Sequence, residues 1–299
     1  MSRAGEIAAL LTSLAFAFSS VFHTLAGRQV GSVIVNRIRL LLAITFLIII
    51  HSCGGFYLPE NIGIERLLWL SLSGIVGLAL GDALLFQAFV LIGARLGMLL
   101  MSLAPVFAAI LAWFFLEEKL ASIQIIGMLL AISGVFMVIF DHNGGNGKLS
   151  VTKRNIYYQG ILFGLGASVC QAAGLILARP GLTGDFPPIS GTLIRMSAAF
   201  LVIWGITLYK RQILPTFRIM NRKSWLYLSF GAIIGPVLGV TLSLYAIQHA
   251  VVGIASTLIA LTPIFLLPIG FFFFKERLGW KAVFGTILAM VGVGFIFLS

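Results

Sequence analysis

The stretch LAPVFAAILAWFFLEEKL at residues 103–120 returns, with changes, as LTPIFLLPIGFFFFKERL at residues 261–278. Both copies have a proline at the third position, a pair of phenylalanines further on, and a glutamate followed by a basic residue and leucine. The alignment extends without a gap, so that residues 67–140 match residues 225–298. Internal repetition has to be explained before any other feature. The chain is predicted to consist of two copies of one structural unit.

Composition indicates what kind of unit is repeated. The 299 residues are 60% hydrophobic and only 10% charged, with a mean hydropathy of +1.10. This composition excludes an ordinary soluble domain. Apolar runs of about 18 to 22 residues recur along the chain, each long enough to cross a bilayer as a helix. They lack the alternation of membrane barrel strands. The predicted fold class is an all-α integral membrane protein, multi-pass in a cell (inner or plasma) membrane.

Ten such runs occur, five in each copy, and we predict ten transmembrane helices. They cover residues 6–25, 33–50, 67–90, 95–116, 122–140, 157–178, 189–209, 225–247, 252–274 and 280–298. The predicted domains are a first repeat at 1–140, a polar linker at 141–155 and a second repeat at 156–299. Because each copy has an odd number of spans, the copies must lie in opposite orientations. Such an inverted repeat is common in secondary transporters, whose site lies near the midplane between the halves.

The loop charges bear on orientation and on partners. The net charge of +11 does not indicate nucleic-acid binding, because the basic residues lie in short loops that face lipid headgroups. Arg3, Arg66, Lys119 and Arg179 fall on one predicted side, whereas most other basic loop residues, including those of 210–223, fall on the other. The positive-inside rule puts the second side in the cytoplasm and both termini outside. Membrane lipids are the expected surroundings.

Three charged residues lie inside predicted spans: Arg39, Asp82 and Arg195. Charge at this depth is costly, so each is a functional candidate. Helical rise brings Asp82, about five turns down the third span, back toward the level of Arg39, so the two are expected to approach each other. Such a pair can form a proton- or substrate-sensitive site. It can also be a structural ion pair, or Arg39 can extend to the headgroups.

Arg195 is predicted to differ from Arg39, because Val240 stands at the position that matches Asp82. An arginine without an acidic partner near a cavity can bind a carboxylate or a phosphate. It can equally extend to the headgroups. Further candidates for substrate contact are the uncharged polar residues within or near the ends of spans, although hydrogen bonds between helices explain them as well. These residues are Gln87, Gln171, Tyr245 and Gln248.

Two pairs of repeated residues have predicted structural roles. Pro105 and Pro263 lie about midway along the fourth and ninth spans, where a proline frees a carbonyl and kinks a helix. They either let cavity walls bend during transport or serve as packing kinks. Glu118 and Glu276 lie where one span turns into the next, and we interpret them as structural caps for the N–H groups that open the following helix.

Motifs for chemical catalysis are missing from the sequence. There is no HExxH, GxSxG or P-loop, and the four histidines lack the spacing of metal ligands. Two cysteines are too few for a disulfide framework. We therefore predict no enzyme, no catalytic residue, no metal site and no cofactor.

The repeated endings resemble a known family unit. The mid-helix proline, the Glu-Glu-Lys-Leu or Lys-Glu-Arg-Leu ending and a final span with two spaced glycines (Gly127 and Gly134; Gly285 and Gly292) are similar to the EamA-type domain of the drug/metabolite transporter (DMT) superfamily. The resemblance covers nearly the whole chain. It implies two inverted five-helix bundles around a central cavity and alternating access for a small metabolite, commonly exported. Family members generally have both termini in the cytoplasm, which the loop charges here oppose.

The predicted function is secondary transport of a small polar metabolite, an amino acid or a related compound, by a monomer or homodimer. Export is the expected direction and the proton is the candidate coupling ion. A multidrug or organic-cation efflux carrier is one alternative, and a non-transporting membrane scaffold or receptor is another. Arg195 favours an anionic or zwitterionic substrate, whereas Asp82 favours a cation, and the sequence leaves both open.

Overall fold

The structure is a computed structural model that describes residues 3–54, 62–115, 121–144, 151–184, 186–249, 255, 258–274 and 279–296. All long regular elements in these ranges are helices, which confirms the all-α fold class. The α-helices are α1 (Arg3–Val30), α2 (Ser32–Gly54), α3 (Ile64–Ser73), α4 (Asp82–Met101), α5 (Ala104–Phe115), α6 (Ser122–Gly144), α7 (Val151–Ala178), α8 (Pro188–Tyr209), α9 (Ile213–Arg218), α10 (Arg222–Ala232), α11 (Val240–His249), α12 (Thr262–Phe274) and α13 (Trp280–Ile296). A short 3₁₀ turn, Pro180–Leu182, precedes α8.

Within the described ranges, seven helices are long and apolar enough to cross a membrane, and α13 is a shorter apolar helix. The longest of the seven, Ile64–Met101, has 38 residues and joins the predicted third span to the start of the fourth. It bends at Gly93, whose φ of 83° lies in the left-handed region that favours glycine. The predicted boundary between the third and fourth spans, at 91–94, thus coincides with a break in helical geometry where two helices meet at a kink, and the count of ten spans stays a prediction.

A wide helical turn recurs at matching places in the two copies. A π-helical segment, π1 (Gly74–Gly81), separates α3 from α4, and π2 (Ile233–Gly239) separates α10 from α11. Such segments are rare and occur often at functional sites. Each is followed at once by the helix whose first residue is Asp82 in one copy and Val240 in the other.

A break between helices lies beside each of the repeated prolines. Pro105 is the second residue of α5 and Pro263 the second residue of α12, and each follows a turn, at residues 102–103 and 260–261. The prediction of a proline in the middle of a continuous helix is therefore wrong. Proline is tolerated in the first helical turn because its missing N–H would have no partner there anyway, so both helices begin anew.

Glycines allow the last helices of the two copies to touch. A Cβ atom at Gly134 would lie 2.5 Å from the carbonyl oxygen of Gly285, and one at Gly292 would lie 2.6 Å from that of Gly127. Distances this short mean that α6 and α13 pack backbone against backbone, as small residues permit in membranes. Val135 and Ala289 belong to the buried apolar cluster at this contact.

We expect Gly292→Ala to destabilise the protein, because the added methyl group has no space between α6 and α13. Overpacking of this kind lowers the free energy of unfolding by about 1–3 kcal/mol. Gly205→Ala is the matched control, since nothing lies within 4 Å of the added Cβ atom. Thermal unfolding in detergent measures both variants, and equal midpoints for the two would contradict the close packing.

Candidate functional site

Arg39 and Asp82 form a buried ion pair. The Nη2 atom of Arg39 lies 2.7 Å from Oδ2 of Asp82, and the two side chains are only 5% and 10% exposed. The expected approach of these residues is thus confirmed, and Arg39 does not extend to the headgroups. Asp82 is placed by π1, which it directly follows. The functional role of the pair remains a prediction.

Several groups around the ion pair orient Arg39. Its Nη2 atom also lies 3.4 Å from the side-chain oxygen of Asn36 and 3.4 Å from the carbonyl oxygen of Leu78 in π1. The guanidinium stands 5.1 Å from the centre of the Phe86 ring, a cation–π contact. Asn36 in turn donates to the carbonyl of Ala79. Nε of Arg39 has no hydrogen-bond partner in the described part of the chain.

Arg195 also lies against π1. It is 2% exposed, so the alternative in which it extends to the headgroups is wrong. Gly74 lets its backbone approach, since a Cβ atom there would be 2.8 Å from Cα of Arg195. A Cβ atom added at Gly77 would lie 3.6 Å from Nη2 of Arg195 and 3.7 Å from the amide oxygen of Gln171. Asp82 and Arg195 attract each other electrostatically without forming a contact ion pair.

The two arginines occupy matching positions in the repeat. Arg39 is the eighth residue of α2 and Arg195 the eighth of α8, so each lies about 10 Å along its helix. Asp82 has only Val240 as its counterpart. Among the described residues, this part of the protein interior therefore holds two guanidinium groups and one carboxylate, an excess of one positive charge.

The other predicted contact residues are not all brought to this cluster. Gln171 lies near Arg195, as the distances at Gly77 show. The amide oxygen of Gln87 accepts a hydrogen bond from Ser32 instead, in line with a link between helices. Tyr245 stacks on His249, with ring centres 4.0 Å apart. The side chain of Gln248, and both predicted caps, Glu118 and Glu276, lie outside the described residues.

Sequence reasoning missed His23. Its side chain is 4% exposed, and its ring centre lies 4.9 Å from that of Phe86, which also contacts Arg39. Nδ1 lies 3.2 Å from Oγ of Ser19, which also donates to the carbonyl of Gly231. Nε2 has no hydrogen-bond partner among the described residues. The available signal was a serine and a histidine four residues apart inside an apolar span, on one helix face.

Comparisons with known proteins agree with an architecture of membrane helices. The family described as the EamA-like transporter family matches residues 3–140 and 158–298. A relative from Synechocystis sp., described as the uncharacterized transporter sll0355, is 23% identical over an alignment of 240 residues; the match covers 76% of this chain and 72% of that protein. A protein of known crystal structure superposes with a TM-score of 0.66 at 15% identity, over 98% of this chain and 96% of its own, and shows the same fold.

These features define a multi-pass, all-α membrane transporter. The chain belongs to the EamA-like transporter family. The resemblance to the EamA-type domain is thereby confirmed.

The ion pair predicts a strong energetic coupling. Asp82→Ala is expected to cost about 3–5 kcal/mol of stability, because it leaves the Arg39 guanidinium buried without its partner. Arg39→Met removes that charge, so the double variant should lose less than the sum of the single variants. The free energy of unfolding in detergent is measured for the two single variants and the double variant. Strictly additive losses would contradict an energetically coupled pair.

Proposed function

We propose that the protein is a secondary transporter that moves a small polar metabolite, by alternating access, in the direction of export. The buried cluster of Arg39, Asp82 and Arg195 carries this proposal, because charge is retained inside a membrane protein chiefly where it serves a pathway or a relay. A scaffold or receptor has no need of it. The expected surroundings are a cell membrane, and the working unit is a monomer or homodimer.

Both repeats contribute to the cluster. Asp82 and Arg39 come from the first copy and Arg195 from the second, and α8 packs directly on π1. In transporters built from repeats, alternating access arises when one repeat moves against the other around a shared site. A relative movement of α8 and π1 would change the surroundings of all three charges together. This arrangement supports a site that is exposed to the two sides in turn.

Protonation of Asp82 supplies a route for proton coupling. The charged and titratable groups that face it are Arg39, in contact, and Arg195, at longer range; His23 is linked through Phe86. A proton on Asp82 would cancel the charge that holds Arg39 and would leave two positive groups without a counter-charge. Binding of substrate and binding of a proton would then depend on each other. An organic cation is disfavoured, because the carboxylate is already occupied by Arg39.

Pro105 and Pro263 are proposed to let the walls of the pathway bend. Each begins a helix after a turn at matching places of the two copies, and such breaks leave backbone groups outside the regular helical ladder. Bending at these points requires fewer hydrogen bonds to break than bending within a regular helix.

The double variant Pro105→Ala/Pro263→Ala is expected to slow transport several-fold while substrate affinity stays near that of the unaltered protein. Alanine allows the turns to join the helices and stiffens them. Initial flux in proteoliposomes and affinity in detergent separate the two effects. Pro187→Ala, which alters a proline just before α8, serves as the control. Flux equal to that of the control would show that the prolines are only packing features.

Asp82→Asn is expected to abolish flux driven by a pH gradient and to leave the protein folded. Asparagine has nearly the size of aspartate and keeps an oxygen for Arg39, but it cannot change charge. A pH-sensitive dye inside proteoliposomes reports proton movement when amino acids, organic cations, nucleotide sugars or phosphorylated sugars are added. Glu65→Gln, at an exposed acid, is the control. Unchanged pH-driven flux would rule out coupling by Asp82, and a lack of movement of every solute would favour a scaffold.

A further inference from the structure

We propose that the transported substrate is an organic oxyanion, a carboxylate or a phosphate with net negative charge, and that Arg195 is the residue that binds it. This inference rests on the proposed transport function and names its substrate class. It starts from the charge balance of the cluster. Asp82 is occupied by Arg39 at 2.7 Å, so the second guanidinium, on Arg195, is buried without a contact counter-ion in the described part of the chain.

A buried charge without a counter-ion is unfavourable, because the protein interior solvates it poorly. In proteins, a buried charge is therefore usually paired with a group of opposite charge. Arg195 is 2% exposed, and the acidic group among the described residues that attracts it, Asp82, does so without contact. A substrate oxyanion would supply the missing charge.

The chemistry of the unpaired donors fits an oxyanion. Nε of Arg195 is buried and has no hydrogen-bond partner among the described residues, and the same holds for Nε of Arg39. A guanidinium offers parallel N–H groups in a planar fork, which matches two oxygens of a carboxylate or phosphate. A lysine at these places would offer only a point charge.

Two polar side chains approach the backbone beside Gly77 of π1. Gly77 in π1 has no side chain where Nη2 of Arg195 and the amide oxygen of Gln171 approach, at 3.6 and 3.7 Å from its missing Cβ atom. Gln171 is partly buried, and its amide can serve a hydroxyl or an amino group of the same substrate. Three elements, π1, α7 and α8, therefore meet at this point.

The cluster treats a cation and an anion differently. A cation would have to displace Arg39 from Asp82 and then lie beside two guanidinium groups. An anion meets an excess of positive charge from the start. Protonation of Asp82 would release Arg39, whose guanidinium would then offer the anion a second pair of parallel N–H donors. Anion binding and protonation of Asp82 should therefore strengthen each other.

The test measures binding to the purified full-length protein in detergent by thermal stabilisation, since a ligand that binds the folded state raises its stability. The probes are succinate, glucose 6-phosphate, leucine and tetraphenylphosphonium, which represent carboxylate, phosphate, zwitterion and cation. We expect stabilisation by succinate or by glucose 6-phosphate, and the one that acts tells carboxylate from phosphate. Stabilisation by leucine or tetraphenylphosphonium alone, or by none of the probes, would overturn the proposal.

Variants assign the effect to Arg195. Arg195→Gln is expected to weaken binding of the active oxyanion roughly ten- to hundredfold, the usual loss of a charged hydrogen bond, and Arg195→Lys should restore part of it. Arg37→Gln is the matched control, because Arg37 is also a buried arginine but donates to Thr216 and Gln212. Equal affinity of Arg195→Gln and Arg37→Gln would overturn the assignment.

Asp82→Asn separates this inference from the proposed function. Oxyanion affinity should rise as pH falls in the unaltered protein and should become independent of pH in the variant, since its Arg39 is no longer held by a carboxylate. Proton-coupled flux of a cation or a neutral solute would overturn the oxyanion inference and leave the transporter proposal standing. A lack of flux of any solute, with oxyanion binding intact, would overturn transport alone.

Discussion

A charge within a lipid bilayer needs a partner, and the ion pair between Arg39 and Asp82 is the contact on which the arrangement of the site depends. Its two atoms are 2.7 Å apart and hardly exposed, so neither side chain can reach water for compensation. The helices that carry them must therefore stay together. The widened helical segment π1, the carbonyl of Leu78 and the ring of Phe86 all serve the same pair. Arg195 is drawn to this place from the other copy.

Duplication explains why the charges do not cancel. The two copies place an arginine at the same point of their second helix, but only the first follows its wide turn with an acid. A symmetric pair of acids would have neutralised the site completely. Because valine stands at position 240, where the first copy has aspartate, the guanidinium of Arg195 has no acidic counterpart in its own copy. This difference between the two copies of the sequence therefore determines the charge balance of the cluster.

Much of this architecture can be predicted from the sequence, because lipid solvation restricts the chain to long apolar helices. The approach of Arg39 and Asp82 followed from helical rise alone. The positions of Arg195 and of His23 near this pair could not be predicted. Helices that are apolar on all sides do not reveal which face meets which neighbour. The start of α5 at Ala104, directly before Pro105, was missed for a similar reason. Sequence locates a proline but does not show whether the preceding turn is helical.

The wide turns show how a small backbone change sets the position of a buried charged side chain. A π-type turn holds extra backbone in one turn and so rotates the helix beyond it. Asp82 is the first residue after π1, so its direction depends on that rotation. A regular helix through residues 74–81 would turn the carboxylate away from Arg39 and separate the partners. The glycines of π1 permit the close approach of Arg195 at the same point. The position of the buried charges therefore depends on the backbone geometry of π1.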